Sequence, residues 1–261
     1  MPVVTIDGCK VEVEKGATIL DAAQKAGVWI PTLCYHPAVS NEASCRICMV
    51  ELDRGNWRQL VTACNYPVRA DIVVYVNSEK ARQARFGVME LLLARAPDSR
   101  ELKDLAKRMG VEGTHYPKVT ESQRNCILCG LCVQVCEEVI GQSAIGFAGR
   151  GVERVVAAPF RQGSEDCIGC GACAVICPVG TIKVRIHQDS KEVEISPFKS
   201  RVKMLLCKRC GAPIFSTKVN EMILRKIAID SEELREHLNL CQKCRKKQTA
   251  ERLGVAAVYK G

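Results

Sequence analysis

Aromatic residues are scarce, only 5% of the 261 positions. A single large aromatic core is therefore not expected, and small domains held by other means fit better. No apolar run approaches the roughly 18 residues that a membrane-spanning helix needs. The start, Met1–Asp7, lacks a charged leader followed by an apolar stretch, which predicts a chain that is not exported. There are only four histidines, and no Ser/His/Asp arrangement stands out. No G-x-G-x-x-G follows a strand pattern and no Walker sequence occurs, so no place for a nicotinamide, a flavin or a substrate is predicted.

What the chain has in excess is cysteine, 17 in all. Without export, clustered C-x2-C pairs point to metal rather than to disulfides. The runs Cys126-Ile-Leu-Cys129-Gly-Leu-Cys132-Val-Gln-Val-Cys136 and Cys167-Ile-Gly-Cys170-Gly-Ala-Cys173-Ala-Val-Ile-Cys177-Pro178 both read C-x2-C-x2-C-x3-C. In that pattern three close thiolates reach three irons of a cubane, and the fourth iron takes its ligand from the other run. The spacing predicts one [4Fe–4S] on Cys126, Cys129, Cys132 and Cys177, and a second on Cys136, Cys167, Cys170 and Cys173. Gly130, Gly169 and Gly171 would let the backbone wrap the inorganic core. Glu137 stands where the first run would carry the proline that Pro178 supplies in the second. The competing reading is a set of structural or zinc-binding cysteines.

Upstream, Val3–Ile6 and Lys10–Val13 alternate around Asp7-Gly8, a hairpin signal. Thr18 is the expected cap of a helix over Ile19–Ala26 that stops at Gly27. Strands are expected over Met49–Leu52 and Ile72–Val76. Between them lie Cys34, Cys45, Cys48 and Cys64, spaced C-x10-C-x2-C-x15-C. A cysteine pair with two outliers suits a [2Fe–2S] rhomb with two ligands per iron, although the first gap is longer than in plant-type ferredoxins. Zinc is the alternative. Cys9 is expected to be a small buried apolar residue. His36, beside Cys34, would be a Rieske-type ligand only if one of the four cysteines were not used.

Ser78–Met109 reads as two helices broken at Pro97-Asp98, with Val88, Leu91, Leu92, Leu102 and Leu105 on the apolar faces. After Lys191 the composition changes, and Ser196–Ser200 reads as a linker. Two knuckles follow, Cys207-Lys-Arg-Cys210 and Cys241-Gln-Lys-Cys244, with helices expected over 217–229 and 231–240 between them. Four cysteines so arranged suit a closed zinc site, with a third [4Fe–4S] as the alternative. The basic run Arg245–Lys247 reads as a solvated face. The formal charge of +9 counts cysteine as neutral. Sixteen ligating thiolates add about −16 and four metal centres return about +8, leaving a holoprotein near +1. The basic excess is therefore compensation for anionic centres, which argues against nucleic acid as the partner.

Ile30-Pro-Thr-Leu-Cys34-Tyr-His36, Ser44-Cys-Arg-Ile-Cys48-Met-Val-Glu51 and the run from Asn125 to Glu138 resemble the N-terminal iron–sulfur region of the large peripheral subunit of respiratory complex I. They are also similar to the diaphorase iron–sulfur subunit of NAD-linked hydrogenases and to the front end of [FeFe] hydrogenases. The resemblance covers about residues 1–190. It implies an α+β chain: a β-grasp [2Fe–2S] ferredoxin domain (1–77), a helical linker (78–118) and a bacterial 2[4Fe–4S] ferredoxin-like domain (119–190), to which the knuckle spacing adds a four-cysteine domain (200–261). It implies an electron-transfer subunit of a cytoplasmic complex. A flavin-bearing NAD(P)H subunit would stand at one end, and a hydrogenase, formate dehydrogenase or similar catalytic subunit, or a ferredoxin, at the other. Such proteins usually carry a His-x3-Cys-x2-Cys-x5-Cys site between the two cluster domains. Residues 65–125 contain no cysteine, and His115 stands alone there. One centre is thus expected to be missing, so that either the [2Fe–2S] domain passes electrons on directly or a partner subunit fills the gap. The competing functions are a zinc- and cluster-based redox-sensing interaction protein and a small self-contained reductase.

Overall fold

In the computed structural model, residues 1–119, 125–227 and 231–253 are described. The chain divides into two units, one made of Met1–Ile140, Ala148–Val156 and Ile176–Thr181, the other of Gly141–Phe147, Ala157–Val175 and Ile182–Gly261.

The first unit begins with the expected hairpin, β1 (Val3–Ile6) and β2 (Cys9–Glu12), in register from Val3 opposite Glu12 to Ile6 opposite Cys9. Asp7 and Gly8 both take positive φ, 45° and 90°, which matches the twist of a two-residue hairpin turn. The Asp7 carboxylate accepts the Val76 N–H at 2.9 Å and Asn77 Nδ2 at 2.8 Å, which ties the turn to the chain leaving the last strand of the sheet. Helix α1 (Ile19–Lys25) opens on a reciprocal capping box between Thr18 and Asp21, and buries Ile19, Leu20, Ala22 and Ala23. With β3 (Met49–Asp53), β4 (Arg58–Thr62) and β5 (Ile72–Tyr75) the sheet has the order β2-β1-β5-β3-β4. Strands β1 and β5 pair in parallel and the other neighbours are antiparallel. Val4, Ile6, Ile19, Val50, Leu52 and Val74 form the fully buried centre of its core. Cys9 departs from expectation. It lies on edge strand β2, whose residues face outward apart from a half-buried Val11, and it is exposed.

Helices α2 (Glu79–Arg95) and α3 (Arg100–Met109) are capped by Ser78 and Ser99 and separated at Ala96–Asp98. The buried stripe of α2 is Ala81, Arg85, Met89 and Leu93, spaced four residues apart. Val88 and Leu92 only flank it, and Leu91 points outward, 53% exposed. Arg85 is buried because its Nη1 finds two carbonyls, Met49 at 2.9 Å and Val76 at 2.8 Å, so its charge locks α2 onto the sheet. Gly130, at φ 84°, starts α4 (Leu131–Gln134). The helix continues as a π-helical turn over Val135–Ile140, through the Glu137 position where no proline interrupts it.

Two short strands, β6 (Gly146–Ala148) and β7 (Val155–Ala157), lie where the chain passes between the units. The second unit holds α5 (Ala172–Val175) and an antiparallel sheet of order β11-β10-β9-β8. Its strands are β8 (Lys183–His187), β9 (Glu192–Ser196), β10 (Ser200–Leu206) and β11 (Pro213–Ser216). Ser196–Ser200 is therefore not a linker. It is the turn that brings Ser200 opposite Ile195, and Val193, Ile195 and Val202 on the paired strands are buried. Burying that alternating apolar set outweighs the loop signal of the Ser-Pro pair. Helices α6 (Thr217–Lys226), α7 (Glu232–Leu238) and α8 (Gln242–Arg252) complete the unit. The expected end of the first of these, at Ile229, lies outside the described residues, as do the start of the expected dicluster domain at 120–124 and the last eight positions of the knuckle domain.

Candidate metal centres

Cys34, Cys45 and Cys48 lie between α1 and β3, Cys64 follows β4, and all four are buried. Cys45 N–H donates to Cys34 Sγ at 3.4 Å. Hydrogen bonds from Cys45 and then Cys64 hold the Cys34 thiol far below its ordinary range. The Cys34 hydrogen bond and burial push Cys45 up, while Cys64 is raised by its contacts with Cys34 and Cys48. Cys48 is lowered, chiefly by Cys64. Four buried thiols that perturb one another in this way form a donor set that a metal centre would fit. His36 is not part of the group. Its Nδ1 accepts the Ala38 N–H at 3.2 Å on the exposed side of the loop.

Cys126, Cys129 and Cys132 lie on a loop and the first turn of α4, with Cys129 and Cys132 buried. The Leu128 N–H turns inward and donates to Cys126 Sγ at 3.4 Å, which requires a left-handed backbone at Leu128, φ 55°. The second run has Gly169 at the equivalent place, with φ 68°. A leucine accepts there a steric cost of about 1–2 kcal/mol that glycine avoids. Burial pushes the Cys126 thiol up and the Cys129 thiol up to about 12, and the charge of Cys177 adds to both. Cys177 is thus brought near Cys126 and Cys129 although 51 residues separate it from the former. Arg95, at the end of α2, donates from Nε to the Cys126 carbonyl at 3.2 Å and from Nη2 to the Arg154 carbonyl at 3.2 Å.

Cys136 is half-buried on the π-helical turn of the first unit. In the second unit, Cys167 and Cys173 are half-buried and Cys170 is exposed. A Cβ added to Gly169 would come within 2.7 Å of Val193 Cγ1 and 3.3 Å of Val202, so this loop lies directly on β9 and β10.

Cys207, Cys210, Cys241 and Cys244 place their four sulfurs within 4.8 Å of one another. Cys210 Sγ and Cys241 Sγ are 3.6 Å apart. A tetrahedral zinc at about 2.3 Å from each sulfur sets them roughly 3.8 Å apart. A cubane interposes four irons and four sulfides, which demands a wider separation. Gly211, at φ 70°, turns the first knuckle so that its N–H donates to the Cys207 carbonyl at 2.9 Å. Backbone donors, first that of Cys241, bring the Cys207 thiol down to about 6. Cys241 is lowered chiefly by the Cys244 backbone, while burial pushes Cys244 up to about 12. Arg209 and Glu251 form a two-pronged ion pair, 3.1 and 2.8 Å, that holds α8 against the knuckle.

Sequence reasoning missed Ser44, whose Oγ donates to the Cys129 carbonyl at 3.0 Å, and Arg95. Neither belongs to a ligand pattern, so no spacing signal marks them. Among the described residues no helix is long and apolar enough to cross a membrane.

Residues 3–79 match the family described as "2Fe-2S iron-sulfur cluster binding domain", and residues 118–178 that of the "4Fe-4S dicluster domain". The chain is 31% identical over 203 residues to the mitochondrial NADH-ubiquinone oxidoreductase 78 kDa subunit of Candida albicans. It is 31% identical over 201 residues to the NADH-ubiquinone oxidoreductase 75 kDa subunit of Reclinomonas americana. It is 35% identical over 211 residues to the NADP-reducing hydrogenase subunit HndD of Solidesulfovibrio fructosivorans. These alignments use 69%, 69% and 70% of this chain but only 28%, 29% and 36% of the relatives, so it spans about a third of their length. Among solved structures, a chain of an NAD+-reducing [NiFe]-hydrogenase in the H2-reduced state shares the fold, with TM-score 0.54 and 24% identity. That match covers 80% of this chain and 88% of the other.

Proposed function

We propose that this chain, which carries a [2Fe–2S] cluster-binding domain and a [4Fe–4S] dicluster domain, is the iron–sulfur electron-transfer subunit of a multi-subunit NAD(P)H-linked oxidoreductase of the hydrogenase, formate dehydrogenase or electron-bifurcating type. It relays single electrons between a flavin subunit and a catalytic subunit or ferredoxin, in the cytoplasm. The observation that carries the reading is the burial of Cys34, Cys45, Cys48 and Cys64 at the ends of β3 and β4, with Cys126, Cys129, Cys132 and Cys177 as a second set in the same unit. On the ligand spacing, Cys136, Cys167, Cys170 and Cys173 hold the second cubane. When bound, the clusters supply one-electron storage. The chain's part is to exclude water from the thiolates and to aim backbone N–H groups at them, which tunes potential.

The C-terminal cysteines hold zinc. Their close sulfur spacing supports this, as does Cys207, whose thiol backbone donors bring down to about 6. Anaerobic purification followed by metal analysis tests both parts. About ten irons and one zinc per chain are expected, from one two-iron, two four-iron and one zinc centre. Two irons or fewer would reject the electron-transfer reading. Cys241→Ser should lose zinc and keep iron; loss of iron instead would assign a third cubane to that site.

A further inference from the structure

Strand β8 is an open edge of the second unit's sheet. The opposite edge is guarded: β11 starts at Pro213, and its pairing with β10 slips between Met204 and Leu206. Strand β8 has neither bulge nor proline. It pairs with β9 without a break, from Lys183 opposite Ser196 to His187 opposite Glu192. Among the described residues its outer edge bonds to no other strand. Its two faces alternate. Val184 and Ile186 continue the apolar face of Val193, Ile195 and Val202, yet they are 44% and 50% exposed. Lys183 and Arg185 stand exposed on the other face, and neither makes an ion pair among the described residues. Glu194, opposite Arg185, is already held by His187 at 2.7 Å and Arg201 at 3.1 Å. The apolar face of β8 borders the loop that carries Cys170 and Cys173, since a Cβ on Gly171 would lie 3.2 Å from Val184 Cγ2.

What β8 selects on its paired side is visible in β9. The run Glu192-Val-Glu-Ile-Ser196 sets Glu192 and Glu194 opposite His187 and Arg185, and Val193 and Ile195 opposite Ile186 and Val184. The free edge offers the same side chains to a second strand. A second copy of β8 does not suit it. Antiparallel pairing about Arg185 would set Arg185 against itself and Lys183 against His187, and like charges directly opposite repel. We propose that β8 takes up, as an added strand, an extended acidic segment of a partner subunit in which carboxylates alternate with apolar side chains. Backbone hydrogen bonds along the edge supply affinity, and the alternation of charge and apolar side chains selects the segment. Covering half-exposed Val184 and Ile186 adds to the affinity. The proposal deepens the multi-subunit reading above, on which it rests for the partner being a subunit, by giving that partner's chemistry.

The test uses the full chain, purified without oxygen, and synthetic peptides. One peptide is Ser-Glu-Val-Glu-Ile-Glu-Ser. A second has the same composition with its glutamates in one block, and a third carries lysine in place of each glutamate. Binding is followed by backbone hydrogen exchange. The alternating acidic peptide should protect the edge amides of Lys183–His187, slowing their exchange about tenfold at roughly ten times its Kd. Its affinity should fall as salt rises. The block and lysine peptides should leave these amides unprotected. Lys183→Gln combined with Arg185→Gln should weaken binding by about tenfold while iron content stays that of the wild type. No protection of β8 at millimolar peptide would overturn the proposal, as would equal protection by the block peptide or an unchanged affinity in the double variant. A free chain that sediments as a dimer with its β8 amides already protected would assign the edge to a second copy instead. A chain that binds the acidic peptide at β8 but holds no iron would reject the electron-transfer reading and uphold the added strand.

Discussion

Arg95 sets a positive charge beside the Cys126 thiol. Arg95 is half-buried, and its guanidinium is held by two carbonyls at 3.2 Å, one of them that of Cys126. Its charge pulls the Cys126 thiol downward against burial. By the same attraction it would favour, in the proposed first cubane, the state that carries one more electron. Arg95→Gln is therefore expected to lower the midpoint potential of that cubane by on the order of tens of millivolts, read by redox titration of its paramagnetic signal. An unchanged or raised potential would show that the guanidinium is screened. Cys207 behaves differently at the same scale. Its thiol is lowered from 9.0 to about 6 in the folded chain. In the metal-free protein the thiolate's contribution to stability is complete above pH 9, falls off through neutrality and is gone below about 6.

At the scale of elements, the local signals were readable wherever one residue acts on its own neighbours. Thr18 and Asp21 close a capping box within four residues, and Asp7-Gly8 turns a hairpin within two. Elements whose definition depends on distant partners were not readable. Strand β4 has little apolar alternation of its own and exists because Met49–Asp53 pairs with it. The stripe of α2 runs through Arg85 rather than Leu91 because two carbonyls of the sheet await a donor there. The turn at Ser196–Ser200 reads as a linker until β9 and β10 are seen to pair across it. The loop carrying Cys167 and Cys170 lies on that same sheet, and Gly169 is the point of contact. Gly169→Ala would place a methyl 2.7 Å from Val193 Cγ1 at φ 68°. The expected cost is about 1–3 kcal/mol, seen as a lower unfolding midpoint together with weaker retention of the second cubane. Unaltered unfolding and iron content would mean that β9 yields without cost.

At the scale of the whole molecule, the cysteines change what the net charge means. The bare sequence carries +9 with a pI near 8.8. With the sixteen thiolates and four metal centres proposed above, the loaded chain would sit near +1. Native isoelectric focusing should therefore place the loaded protein at a clearly lower pH than the same chain stripped of metal. Coincident bands would mean that most of the cysteines are not ligating.

The sequence alone determined which cysteines form the candidate ligand sets, and how their spacing groups them. A cubane accepts three thiolates only from a loop of fixed length, so its chemistry is written in short spacings that any unfolded copy of the chain already possesses. The tertiary structure alone decided what supports those cysteines: Ser44 reaching Cys129, Arg95 reaching Cys126, and a sheet passing through a supposed linker. Such contacts join residues tens of positions apart, and they arise only when burial of apolar surface outweighs the entropy of closing the chain between them.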